Sequence, residues 1–205
     1  MKKKKDNQVF VPARLSYMYA WEPDEETGKY STQLLIDKSD KETLAKIKAA
    51  IKAAVEGGKS RLANSKGKIP KDLKMPLHDG DTERKGVAEY QGMIYFNAST
   101  KNKPVICDRR RQAITDRSEV YSGCYANVAV NFYVFNKGGS AGVAAGLLGI
   151  QKVRDGEQLG GSSVSAGDFE DLGEDAADDF LPADMDSEDE DDGVEAVTDL
   201  DSLLG

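Results

Sequence analysis

The 205-residue chain reads as a mainly β protein: a small β-barrel or strongly curved sheet, one α-helix packed on it, and an acidic C-terminal tail. Three observations predict this. Runs of β-branched and aromatic residues recur before residue 160, only one segment keeps helical spacing, and the composition changes abruptly after it.

The first run, VFVPARLSYMYAW at residues 9–21, is followed by the acidic turn EPDEETGK and by YSTQLLI, which predicts strand, turn and strand. Alternation along the first strand places Leu15, Tyr17, Tyr19 and Trp21 on one face. The helix is expected over about residues 39–57. Ser39 with Glu42 gives the S-x-x-E pattern of a capping box, Leu44, Ile47, Ile51 and Val55 follow at spacings of three and four, and Gly57 and Gly58 end the segment. Lys41, Lys46, Lys48 and Lys52 then decorate its solvated side.

Residues 59–86 form a long connection with little periodicity; its first part is basic and suits either solvent or a phosphate backbone. Strand patterns resume at residues 90–99 and 104–108, and the longest is VYSGCYANVAVNFYVFN at 120–136. There the alternation buries Val128, Val130, Phe132 and Val134 and turns Ala129, Asn131, Tyr133 and Phe135 outward. NKGGSAGVAAG reads as a Gly-rich link, and LLGIQKVRDG as a last strand or hairpin arm. Beyond Gly160 the sequence is too charged and too poor in apolar residues to offset its ordering entropy, so the tail is expected to be disordered. The resulting organisation is a basic flexible N-terminus at 1–8, a folded domain at 9–160 and an acidic tail at 161–205.

Charge divides the chain in the same place. All 28 Lys and Arg residues lie at or before Arg154, whereas Ser162 to Gly205 holds 17 acids and no base. With the remaining 19 acids, the first 161 residues carry a net +9, against −17 for the rest. A basic body attached to an acidic tail points to nucleic-acid contact on one side and an interaction or self-shielding segment on the other. The longest weakly apolar run, residues 141–150, is too short to span a bilayer, and no apolar stretch follows the N-terminal lysines, so a cytoplasmic protein is expected.

Catalytic constellations are missing from the pattern. His78 is the single histidine, and neither a phosphate-binding loop nor a dinucleotide fingerprint occurs. Asp79 and Asp81 beside it would suit Mg²⁺, but D-G-D is also ordinary turn punctuation. Cys107 and Cys124 are not closely spaced and read as small core residues. The expectation is no enzyme, no metal and no cofactor.

Bases interleaved with aromatic rings are what the body does offer. Thirteen of the fifteen aromatic residues precede Gly161, on the segment with all the positive charge. A single nucleic-acid strand presents phosphates and unpaired rings, so its binders combine a basic groove with stacking side chains. Among small barrels the five-stranded OB-fold recurrently takes that ligand. The candidate DNA-binding residues are Tyr17, Tyr19, Trp21, Lys101, Lys103, Arg109, Arg110, Arg111, Tyr133, Lys137, Lys152 and Arg154. Strand aromatics also fill cores, and arginine runs also decorate turns.

The stretches SYMYAWEP, YSTQLLIDKSDKETLAKIKAAI, LKMPLHDGD, VYSGCYANVAVNFYVFN and GVAAGLLGIQKVRDGEQLGG carry a resemblance. In that order, from about Val9 to Asp171, the chain is similar to the single-stranded DNA-binding proteins of tailed bacteriophages and prophages. The resemblance implies an OB-fold and a non-catalytic role in the bacterial host cytoplasm: coating and protecting single-stranded DNA in phage replication and recombination. It further implies that the acidic tail competes with DNA and recruits replication proteins. Asp178, Asp179 and Phe180, or Leu200, Leu203 and Leu204, are the tail segments a partner would grip; related tails often finish on acids and a terminal Phe, whereas this one continues to LDSLLG. A replication adaptor without substantial DNA binding is the alternative, followed by a nuclease or annealing recombinase. Self-association is left open.

Overall fold

The computed structural model describes residues 6–63, 69–70, 73–137 and 140–160. Its contacts divide the chain into Met1–Gly161 and Ser162–Gly205. The acidic tail, with its candidate partner residues, and Lys2 to Lys5 lie outside the described residues.

Seven strands make one sheet. They are β1 (Gln8–Tyr19), β2 (Tyr30–Asp37), β3 (His78–Asp79), β4 (Met93–Thr100), β5 (Val105–Cys107), β6 (Tyr125–Lys137) and β7 (Ser140–Arg154). They neighbour one another in the order β3-β4-β2-β1-β6-β7-β5. A short parallel pairing of β4 with β7, Ala98 opposite Ala145 and Ser99 opposite Gly146, closes β1, β2, β4, β7 and β6 into a five-stranded barrel. The expected mainly β, OB-like barrel is therefore the observed fold.

Its interior is filled by alternate residues of the long strands: Val9, Val11, Ala13 and Leu15 from β1, Leu34 and Ile36 from β2, and Phe96 from β4. Val128, Val130, Phe132 and Val134 are all buried, as their alternation requires. Phe96 and Phe132 meet at 5.7 Å in a tilted arrangement.

The helix α1 (Lys41–Gly57) packs Leu44, Ile47, Ala50, Ile51 and Ala54 against the barrel. It starts later than the capping box implies. Asp40, not Ser39, is the cap: its carboxylate accepts a hydrogen bond from the Thr43 N–H at 2.9 Å, while the Ser39 N–H donates to Asp37. A carboxylate one residue nearer the first turn outcompetes the serine hydroxyl.

Three further expectations are corrected. β7 begins inside the Gly-rich stretch read as a link, because Gly142 lets another backbone approach: an added Cβ would lie 2.3 Å from the Lys74 carbonyl oxygen. β6 starts at Tyr125, not Val120, because Gly123 turns with φ +117° against the Glu157 carbonyl. Leu15 does not share a face with Tyr17 and Tyr19. A bulge between Ser16 and Tyr19, with Tyr17 at φ +45°, breaks the alternation, leaving Leu15 in the core and both tyrosines outside.

Candidate nucleic-acid interface

The outward side of β1 organises the site. With Val9, Val11, Ala13 and Leu15 committed to the core, Phe10, Pro12 and Arg14 point away from it, and the bulge then presents Tyr17. At about 3.3 Å per residue, Phe10 to Tyr17 spans roughly 23 Å along the barrel wall.

Arg14 lies at the centre of a row that crosses six strands. Strand register aligns His78, Tyr95, Leu35, Arg14, Tyr125 and Arg154. His78 stacks on Tyr95 at 5.1 Å, the Arg14 guanidinium lies 5.8 Å from the Tyr125 ring centroid, and the Arg154 guanidinium 3.4 Å from it. Two guanidinium groups gathered at one ring bring charge for phosphate next to a flat aromatic surface. Neither Arg14 nor Tyr125 was singled out in the sequence, although both have the parity opposite to the core residues of their strands.

Along β1 from Arg14, toward its C-terminal end, stand Tyr17 and Tyr19, 49% and 51% exposed. The Arg84 guanidinium lies 6.0 Å from the Tyr17 ring centroid and 5.5 Å from that of Tyr90. Tyr90 is held by hydrogen bonding to Gln33, whose side-chain amide donates in turn to Asn97 at 2.9 Å, and burial pushes the Tyr90 hydroxyl pKa up. Arg84 escaped the sequence reading because its loop has no periodicity.

Toward the N-terminal end of β1, register places Phe10, Ala129, Gly149 and Val105 side by side on β1, β6, β7 and β5. Phe10, Val105 and Leu148 are exposed around a shallow apolar cleft that Arg111 borders. Arg109, Arg110 and Arg111 form the exposed turn after β5, which is built on Asp108: its carboxylate accepts from the N–H groups of Arg110 and Gln112, both at 2.8 Å. Lys101 and Lys103 are exposed in the turn between β4 and β5. Among the described residues, none of these five bases is engaged in an ion pair.

The remaining candidates separate. Trp21 is half-buried against the core, and its indole N–H donates to the Val120 carbonyl at 2.8 Å, so it serves the barrel first. Lys152 is largely buried and paired with Asp155 at 2.8 Å; burial is the largest influence and works against its charge, but the Asp155 hydrogen bond and the attraction of Asp155 and the other nearby acidic groups together outweigh it and hold the ammonium above its usual pKa. Tyr133 is exposed on β6 beside Gly57, Gly58 and Arg61, and Lys137 ends the same strand. Arg117 pairs with Glu22 at 2.7 Å.

The carboxylates weighed as metal ligands are otherwise employed. Asp79 and Asp81 pair with Lys38 at 2.7 and 2.5 Å, and this amine lowers both carboxyl pKa values. His78 Nδ1 faces Glu83 at 2.8 Å. Among the described residues no cluster of three or more His, Cys, Asp or Glu side chains could hold a metal. No helix of the described residues is long and apolar enough to cross a membrane.

A closed five-stranded barrel with this connectivity and a ring-and-guanidinium outer face is an OB-type barrel of the kind that carries nucleic-acid ligands. The chain belongs to the family of the Enterobacter phage Enc34 ssDNA-binding protein, whose family model matches residues 7–181. This is a class of DNA-binding proteins, not of enzymes. The chain is 36% identical over 170 residues to protein p50 of Acyrthosiphon pisum secondary endosymbiont phage 1, covering 78% of this chain and 90% of that one. Its fold is similar to that of the single-stranded DNA-binding protein from bacteriophage Enc34 in complex with ssDNA, with a TM-score of 0.61 at 24% identity over 78% of this chain and 97% of the other. It is also similar to gp2.5, a single-stranded DNA-binding protein encoded by bacteriophage T7, with a TM-score of 0.51 at 18% identity over 80% and 99% of the two chains.

Proposed function

We propose that this chain binds single-stranded DNA without regard to sequence, and coats and protects it during phage replication and recombination in the bacterial host cytoplasm. The observation that carries the reading is the outward face of β1, where Phe10 and Arg111, then Arg14, Tyr125 and Arg154, then Tyr17, Tyr19 and Arg84 follow one another. Phosphates engage the guanidinium groups and unpaired bases stack on the rings. Lys101, Lys103, Arg109, Arg110, Tyr133 and Lys137 extend this face as secondary contacts, and Trp21 and Lys152 support it from within the barrel wall.

The folded domain at 9–160 is the DNA-binding unit. The acidic tail at 161–205 competes with DNA for it and recruits replication or recombination proteins through Phe180 or the closing leucines. Opposite net charges of +9 and −17 support the competition, as does the position of Gly160, which lines the cleft beside Tyr17 and Tyr19.

The test is a salt series of oligo-dT and duplex binding with and without residues 162–205. Affinity should fall with salt at a logarithmic slope of about −0.7 per phosphate contacted, and removal of the tail should tighten binding most at low salt. Truncated protein that bound no better would refute the competition; a full chain that bound no oligonucleotide would return the adaptor reading.

A further inference from the structure

Tyr90 and Tyr95 are only 4% and 5% exposed, yet both lie on the outer side of the barrel. They meet edge to face at 5.1 Å and, with Leu35, form a small apolar cluster apart from the main core. Among the described residues its partly buried apolar cover is Leu159. Beside it opens a cleft of about 400 Å³ lined by Ser16, Tyr17, Tyr19, Tyr90, Ser122 and Leu159.

Leu159 belongs to a strap, residues 155–160, that leaves β7 and crosses the outward side of β1. The strap is anchored at its start, where Asp155 pairs with Lys152 at 2.8 Å and the Tyr121 hydroxyl bonds to Asp155 and to the Gly156 carbonyl at 3.3 and 3.0 Å; further along, Arg14 Nη2 donates to the Glu157 carbonyl at 2.8 Å and the Leu159 N–H to the Ser122 carbonyl at 2.8 Å. The opposite wall is fixed. Tyr17 is kept at φ +45°, a conformation that costs energy in a non-glycine residue, by a bulge whose Met18 N–H donates to Ser122 Oγ at 3.0 Å.

We propose that this cleft is a nucleobase subsite, in which one unpaired base of the bound strand takes the place of Leu159 against Tyr17 and Tyr90. The proposal rests on the single-strand-binding reading and adds Tyr90 and Ser122 to the residues that serve it. Each part of a nucleotide finds suitable chemistry there. The ring meets tyrosine faces, and the polar base edge meets Ser16 Oγ and Tyr90 Oη, which are 3.5 Å apart, and the Ser122 hydroxyl. The phosphate meets Arg84, whose guanidinium stands 5.5 to 6.0 Å from the ring centroids of Tyr17, Tyr90 and Tyr95. Leu159 is the natural occupant to yield, because its apolar contact is replaced by base stacking and it carries only the Ser122 hydrogen bond, at the end of the strap away from the Asp155 and Gly156 anchors. DNA entry and strap release become a single exchange, and because the strap precedes the acidic sequence, the exchange is signalled along the chain.

The experiment uses the full chain with oligo-dT carrying a single 5-iododeoxyuridine, comparing wild type with Leu159→Ala and Tyr17→Ala. Irradiation should cross-link the base to Tyr17 or Tyr90, and Tyr17→Ala should weaken or redirect the cross-link. Leu159→Ala should tighten binding about tenfold, since the base displaces less apolar contact, with the salt slope unchanged because no charge is altered. Cross-links mapping only elsewhere on a protein that binds with ordinary salt dependence would overturn the subsite, as would unchanged or weaker binding by a Leu159→Ala chain of wild-type thermal midpoint. Wild type that failed to bind oligo-dT at low salt would instead overturn the proposed function, and the subsite with it.

Discussion

Arg154 shows how much a single side chain contributes to the interface and how little of that is visible in its neighbours along the chain. It sits 3.4 Å over the Tyr125 ring, a contact that register alone creates, since residues 125 and 154 are opposed on β6 and β7. The ring positions the guanidinium without neutralising it, so it stays available to a phosphate. Replacing it by Ala is expected to reduce the magnitude of the logarithmic salt slope of oligo-dT binding by about 0.7 and to weaken binding severalfold at low salt. A titration series across salt concentrations checks this; an unchanged slope would restrict Arg154 to supporting Tyr125. Arg154 is legible in the sequence by its charge, whereas its association with Tyr125 and Arg14 is not, because partnership across strands is set by register. Trp21 is the converse: an aromatic residue in a ring-rich stretch whose N–H is spent on Val120.

At the scale of elements, α1 seals the barrel and its start depends on Asp40. The hydrogen bonds from Thr43 lower the Asp40 carboxyl pKa, so this group stabilises the fold above the unfolded-state carboxyl range, and the contribution disappears as pH falls through the lowered folded value. Asp40→Ala should therefore lower the urea midpoint at pH 7, with the difference from wild type vanishing in strong acid. Urea melts at several pH values decide it, and a gap that persisted below the carboxyl range would assign the loss to something other than the ionised cap. The helix itself was legible from Leu44, Ile47 and Ile51 because a 3.6-residue stripe is local information. Its cap was displaced by one residue, because two competing side chains, Ser39 and Asp40, stood side by side. In β1 the alternation reads correctly up to Leu15 and fails at Tyr17, where the bulge adds a residue that no propensity scale announces.

For the whole molecule, the decisive feature is closure. The β4–β7 pairing rests on Ala98 and Ala145, both buried and facing each other across a two-residue parallel ladder. Small side chains let the two strands meet at the point where the sheet bends back on itself. Ala98→Leu should cost about 1–3 kcal/mol by overpacking, read as a lower unfolding free energy in denaturant, and should weaken DNA binding in parallel by disturbing the wall that supports Tyr95. Wild-type stability in that variant would show the seam to be looser than its buried alanines imply.

Periodicity and charge along the chain specify the class of structure and the direction of its chemistry. Alternating strands, one amphipathic helix and a segregation of charge are written residue by residue, and they specify a basic β-barrel with an acidic extension and without a catalytic set. Which residues meet depends on the folded barrel. The row from His78 to Arg154, the pocketing of Tyr90 under Leu159, and the diversion of Asp79, Asp81 and Lys152 into ion pairs all join positions far apart in the chain. Such meetings follow from strand register, bulges and barrel closure, which are collective outcomes of packing rather than properties of any short stretch.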